Sequence, residues 1–204
     1  MKKHRVIFLA FIIVFITSCN KDNELKKSVY IYDPENMDLP TYSEWGYNTF
    51  GAYYDREIFV YNDELVPAKI IVSDTASTFL LDGHKGPSGY YYSGYPEMMI
   101  SFTFSGFTPE DYADLALLND SVIDLENPAC YVSVTIDTTQ YPAEILEGEL
   151  NFKRVQILKV DNQLVEAILS GYFDFKAIIN KKPVTISDGR FDVGIGPDNF
   201  YSNN

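Results

Sequence analysis

Residues 164–179 carry the most constraining pattern in the chain. Val165, Ala167, Leu169, Gly171, Phe173, Phe175, Ala177 and Ile179 fall on every second position without a break. Glu166, Ser170, Asp174 and Lys176 mark the positions between them. A period of two sends alternate side chains to opposite faces of a strand, so the segment reads as one long β-strand with an apolar face toward a core. Asp161-Asn162 just before it suits a two-residue turn, because both residue types tolerate positive φ.

The same period recurs along the chain. Residues 49–54 and 57–61 flank Asp55-Arg56 as a hairpin. Val66, Ala68, Ile70 and Val72 alternate, residues 78–81 follow, and Met98, Ile100, Phe102 and Phe104 alternate with Met99, Ser101, Thr103 and Ser105. In residues 130–137 the thiol of Cys130 shares a face with Val132, Val134 and Ile136, as a small hydrophobe rather than a nucleophile. Residues 150–160 and 184–195 complete the set. In the last, Val184 and Ile186 are even while Phe191, Val193 and Ile195 are odd. That flip predicts a β-bulge or tight bend at Asp188-Gly189, with Gly189 at positive φ.

One helix is expected up to about Leu118, with Thr108 as N-cap, Pro109 in the first position and Glu110 and Asp111 following. Tyr112, Leu115 and Ala116 give it an apolar stripe, which would cover an open end or edge of the sheet. Many short strands and one short helix predict an all-β fold, an antiparallel β-sandwich or barrel. With 204 residues, 46% of them apolar, the chain suits a single such domain with a real core.

The first residues read as a targeting segment. Lys2, Lys3, His4 and Arg5 precede an apolar run over residues 6–16, too short for a membrane-spanning helix, which needs about 20 residues. Ile16-Thr17-Ser18-Cys19 follows, and this resembles the lipobox of bacterial lipoproteins. The resemblance implies cleavage of residues 1–18 as a signal peptide and a diacylglyceryl group on the Cys19 sulfur, which would anchor the chain to a membrane. Asn20-Lys21-Asp22-Asn23-Glu24 resembles the Lys-then-acidic stretch of surface-exposed Bacteroidota lipoproteins. It implies the outer membrane and favours the cell surface over a periplasm-facing position. Residues 19–45, polar and containing Pro34 and Pro40, are expected to form a flexible tether, although Val29-Tyr30-Ile31-Tyr32 has the composition to pair with a sheet. Residues 46–204 are the expected β domain.

Two segments carry a further resemblance. Gly46-Tyr47-Asn48-Thr49-Phe50-Gly51-Ala52 opens the domain, and Gly171-Tyr172-Phe173-Asp174-Phe175 with Asp188-Gly189-Arg190-Phe191-Asp192 closes it. Together they resemble uncharacterised outer-membrane lipoproteins of Bacteroidota, in which an Asn-Thr-Phe-Gly strand begins a β domain and Gly-x-Phe-x-Phe and Gly-x-Phe-Asp end it. The resemblance implies an all-β lipoprotein and brings no catalytic residues.

Charge narrows the partners. The formal net charge is −13, and loss of the signal would remove three of the 16 basic residues and none of the 29 acidic ones. Such a surface is unsuited to nucleic acid. With Cys19 lipidated, Cys130 is left without a disulfide partner, and a lone His84 cannot build a zinc site; His84 is expected to be a solvated loop residue. Asp188 with Asp192, and Asp120 with Asp124 and Glu126, lack the spacing of a calcium loop. No hydrolase motif or phosphate loop is present, and no metal or cofactor is expected.

The candidate contact surface is aromatic. Tyr90, Tyr91, Tyr92 and Tyr95 stand among glycines after Gly83-His84-Lys85-Gly86, and Trp45 would add to them. Flat amphipathic rings stack on sugars and peptide side chains at little entropic cost. The competing reading has alternate tyrosines packed inward in a hairpin, since Tyr is common in strands. The sequence therefore leads to a non-catalytic domain binding a glycan, a peptide or another nutrient. The alternatives are a structural or assembly partner of another envelope protein and, weakest, a hydrolase.

Overall fold

A computed structural model describes residues 27–61, 65–86 and 96–202. Eleven strands form one hydrogen-bonded sheet: β1 (Thr49–Tyr54), β2 (Glu57–Val60), β3 (Ala68–Val72), β4 (Ala76–Gly86), β5 (Glu97–Ser105), β6 (Ser121–Asp124), β7 (Cys130–Ile136), β8 (Thr139–Val160), β9 (Gln163–Ile179), β10 (Lys182–Ile195) and β11 (Phe200–Ser202). Between the sandwich and the barrel that alternation allows, the pairing selects a barrel. β1 is flanked by β2 and β10, and β4 pairs with both β2 and β5, so the ring β1-β2-β4-β5-β7-β8-β9-β10 closes on itself. β3 prolongs the position of β2 along β4, and β6 shares with β7 the position beside β8. Every pair is antiparallel except β11 with β3. Closure leaves the ring without a free edge.

The turns follow the local chemistry. Asp161 and Asn162 both take positive φ (52° and 62°) between Val160 and Gln163, as the two-residue hairpin requires. Asp55-Arg56 joins β1 to β2, with Asp55 at φ 56°. The register shift in β10 falls between Ile186 and Gly189 against β9, as the parity flip predicts. The left-handed residue is Asp188 (φ 53°), however, not Gly189. Gly189 is required for a different reason: a Cβ there would lie 2.5 Å from the carbonyl oxygen of Phe173 and 2.7 Å from its ring.

The interior is aromatic. Phe50, Phe59, Phe79, Phe102, Phe152, Phe173, Phe175 and Phe191 are fully buried and meet mostly edge to face, as Phe79 and Phe191 do at 5.3 Å between ring centres. Large rings fill the bore of an eight-position barrel, so the inside is core. The helix is a 3-10 helix over Tyr112–Leu118, shorter than expected and starting later. Asp111 and Asp114, rather than Thr108, form its capping box. Leu115 enters the core and the Tyr112 hydroxyl donates to the Leu164 carbonyl, so the helix covers the barrel end near the β8–β9 turn.

Cys130 is partly buried against the core, and burial, helped by Asp124, pushes its thiol up to about 11. At pH 8, alkylation of this thiol is expected to run about a hundredfold slower than that of an unperturbed cysteine, which pseudo-first-order labelling would measure. Fast labelling in the folded protein would place the sulfur outside the core. Among the described residues no helix is long and apolar enough to cross a membrane.

Candidate functional site

The flexible tether expected over residues 19–45 is corrected for its described part. Residues 28–48 form a strap laid across the outer face of β2, β1, β10 and β9. Tyr32 bridges Pro40, the Val29 N–H donates to the Tyr47 carbonyl, and Leu39 is completely buried with Ile58 and Val60. The strap is fastened by Asp192 of β10, which is 1% exposed. Its carboxylate accepts from the backbone N–H groups of Trp45 (3.1 Å), Gly46 (2.9 Å) and Tyr47 (3.0 Å), and from the hydroxyls of Ser43 and Ser170 (3.0 Å). Successive backbone N–H groups curled around one anion make a nest, here satisfied within the chain.

Further contacts secure the rest of the strap. Arg190 pairs with Asp33, and the Glu35 N–H together with that guanidinium holds the Asp33 carboxyl below its ordinary range. Tyr42 stacks on Tyr172 at 4.2 Å and donates to Glu44, while Arg154 on β8 pairs with Glu44. Burial, then the Glu44 carboxylate, raises the Tyr42 phenol. Asn48 ends the strap, accepting the Gly194 N–H at 2.9 Å.

Beyond Asn48 the outer face is uncovered, and there a cleft of about 550 Å³ opens. Leu65, Val66, Leu164, Val165 and Pro197 supply apolar walls, and Gly194 and Gly196 keep side chains out of the space. Glu166 of β9 lies among them. Its Oε2 would be 2.4 Å from a Cβ built on Gly194, so the glycine makes room for the carboxylate. Burial raises the Glu166 carboxyl and Asp192 raises it further. Among the described residues the cleft's one basic group, Lys69, is joined to Asp82 at 3.3 Å. Asp198 also lines the cleft, and no Ser, Thr, Cys or His lines it among the described residues. An apolar concavity with a few polar groups is suited to binding.

A second, shallower hollow of about 390 Å³ lies across the Lys69–Asp82 pair, over β4, β5 and β7. His84 lines it with Glu97, Met99 and Asp137. This corrects the solvated loop expected there: β4 continues to Gly86, His84 sits opposite Glu97, and its Nδ1 is buried with no hydrogen-bond partner among the described residues.

Of the contact residues expected from sequence, Trp45 is 75% exposed, held at its backbone by Asp192. Tyr90, Tyr91, Tyr92, Tyr95 and the anchor Cys19 lie outside the described residues. Among the described residues no group of three His, Cys, Asp or Glu side chains gathers as a metal set. The acids near turns have other partners: Asp192 binds the strap, and Asp124 accepts the Glu126 N–H. Sequence reasoning missed Glu166 as a site residue, treating it as a marker of the solvent face. The available signal was the Gly194-Ile195-Gly196 run, which leaves the outer face of β10 bare beside it. Comparison with protein families, curated proteins and solved structures finds no match for this chain.

Proposed function

We propose that the chain is a lipoprotein of the bacterial outer membrane, held through a diacylglyceryl group on Cys19 and facing the cell exterior, whose barrel binds a small nutrient-like ligand without transforming it. One observation carries the binding reading: the cleft beyond the strap is large, apolar and glycine-floored, while the barrel bore is filled by phenylalanines. A ligand therefore sits on the flank. The lipobox and the basic and apolar segments before it support the anchor. Tyr90, Tyr91, Tyr92 and Tyr95 remain proposed as stacking contacts for a glycan or peptide.

A neutral fluorescent naphthylamine is expected to bind saturably with a blue-shifted emission. Leu65 and Tyr201 are both well exposed, so the pair Leu65→Ser and Tyr201→Ser preserves the fold. It should weaken uptake about tenfold by removing the outer apolar walls. Equal uptake by the double variant would remove the cleft from consideration. The anchor is tested separately: a clickable fatty acid should label the natural chain in cells and leave Cys19→Ser unlabelled.

A further inference from the structure

The cleft's charge specifies the ligand more closely. We infer that it takes an organic cation, a positively charged nitrogen on an apolar body, with the nitrogen seated at the Glu166 carboxylate. This rests on the cleft being a binding site, and deepens that reading.

Glu166 is half-buried between apolar walls and the bare backbone of Gly194. Among the described residues no cation pairs with it and no donor satisfies it; the charge acting on it is the like charge of Asp192. Asp192 has its own five donors and none to share. Lys69, the one cation in the lining, is held by Asp82. A carboxylate partly withdrawn from water without a partner is held at a cost, and such groups concentrate at functional sites. The chain has not filled the space beside it: two glycines stand where any side chain would crowd the carboxylate or narrow the floor.

An ammonium group supplies what the site lacks. It donates to Glu166 in a charge-assisted hydrogen bond, and its apolar body covers Leu65, Val66, Leu164, Val165 and Pro197. A carboxylate ligand would meet Glu166 and Asp198 with the wrong sign. A neutral ligand would gain the apolar contacts and offer Glu166 at most a hydroxyl hydrogen bond, with no opposite charge. The chain's net charge of −13 further concentrates cations around it.

Amide NMR spectra of the intact lipoprotein in nanodiscs, following Gly194 and Gly196, would test this with 4-phenylbutylammonium, 4-phenylbutanol and 4-phenylbutyrate. The cation should bind about tenfold or more tighter than the alcohol, and the carboxylate more weakly than either. Glu166→Gln should bring the cation down to about the level of the alcohol and change the alcohol far less, with the rest of the spectrum reporting an intact fold. Equal affinities for cation and alcohol, or a cation indifferent to Glu166→Gln, would overturn the ligand class and leave the cleft as a binding site. Glycine signals that none of the three probes moves would overturn both.

Discussion

Asp192→Ala is expected to cost about 3–5 kcal/mol of stability and to release the strap. The carboxylate is almost fully buried and accepts from three consecutive backbone N–H groups and two hydroxyls. Each buried donor left without an acceptor costs about 1–3 kcal/mol. Some of that loss is recovered when the strap lifts and its N–H groups reach water. The lift uncovers Ile168 and Ser170, which are buried on the outer face although the strand's apolar face is the other one. Urea unfolding would give the stability change, and hydrogen exchange at residues 45–47 would show the release as protection falling far more than in β9. Asp192→Asn should lose roughly half as much, since an amide oxygen still accepts while its NH₂ confronts the donors. The Glu166 carboxyl should move down toward its ordinary value without reaching it, because a like charge is gone while burial remains. A loss below about 1 kcal/mol with unchanged exchange would mean that the strap is held by Leu39 and the Arg190–Asp33 pair instead.

The strap also separates what local pattern reveals from what it hides. Phe173, Phe175, Ala177 and Ile179 were legible as core because a solvated outer face alternates with them through Tyr172, Asp174 and Lys176. Ile168 and Ser170 were not, because the segment covering them lies more than a hundred residues earlier. Residues 28–45 contain two prolines and no sustained alternation, and their fixation depends on Asp192 and Arg190, whose roles emerge only when β10 is in place. The first half of β8 was missed for another reason. In residues 139–149 only Ala143 is buried, and the alternation of Tyr141, Ala143 and Ile145 is cut short by the register shift between Ile145 and Glu147. The choice of barrel over sandwich was equally hidden, since period two fixes the faces of strands and not which edges meet.

Local chemistry was more informative at the turns, within limits set by competing side chains. The parity flip located the bulge in β10, but not the residue that turns left-handed: an aspartate takes positive φ and the glycine answers a steric demand. At the helix, Pro109 suggested the start, yet Asp114 reaches back to the Glu110 and Asp111 N–H groups and sets the cap at Asp111. For the site, Glu166 was visible and misassigned. Its exposure depends on where the strap stops, at Asn48, and on Gly194 of β10 and Gly196 just after it.

Gly171→Ala is expected to be the most damaging change of a single methyl group, costing about 3 kcal/mol and lowering the melting temperature by about 6 °C or more. The cause is steric. Gly171 takes no left-handed φ, but a Cβ there would lie 2.0 Å from the carbonyl oxygen of Asn151 on β8 and 2.7 Å from the tip of the Phe191 ring. A side chain can step aside, whereas the oxygen belongs to the backbone of a paired strand, and Phe152 is the register partner of Gly171. Phe152, Phe191 and Phe79 meet with ring centres 5.3–5.8 Å apart, so a shift of β8 or of Phe191 moves all three. Phe191→Leu in the Gly171→Ala background should recover part of the loss by withdrawing the ring tip. It should not recover all of it, because the carbonyl contact remains; a double-mutant cycle would measure the coupling. A fall in melting temperature below about 2 °C would show slack between the strands and room in the bore. A bore with room could hold a ligand, and binding would then belong inside the barrel rather than at the flank cleft beside Glu166.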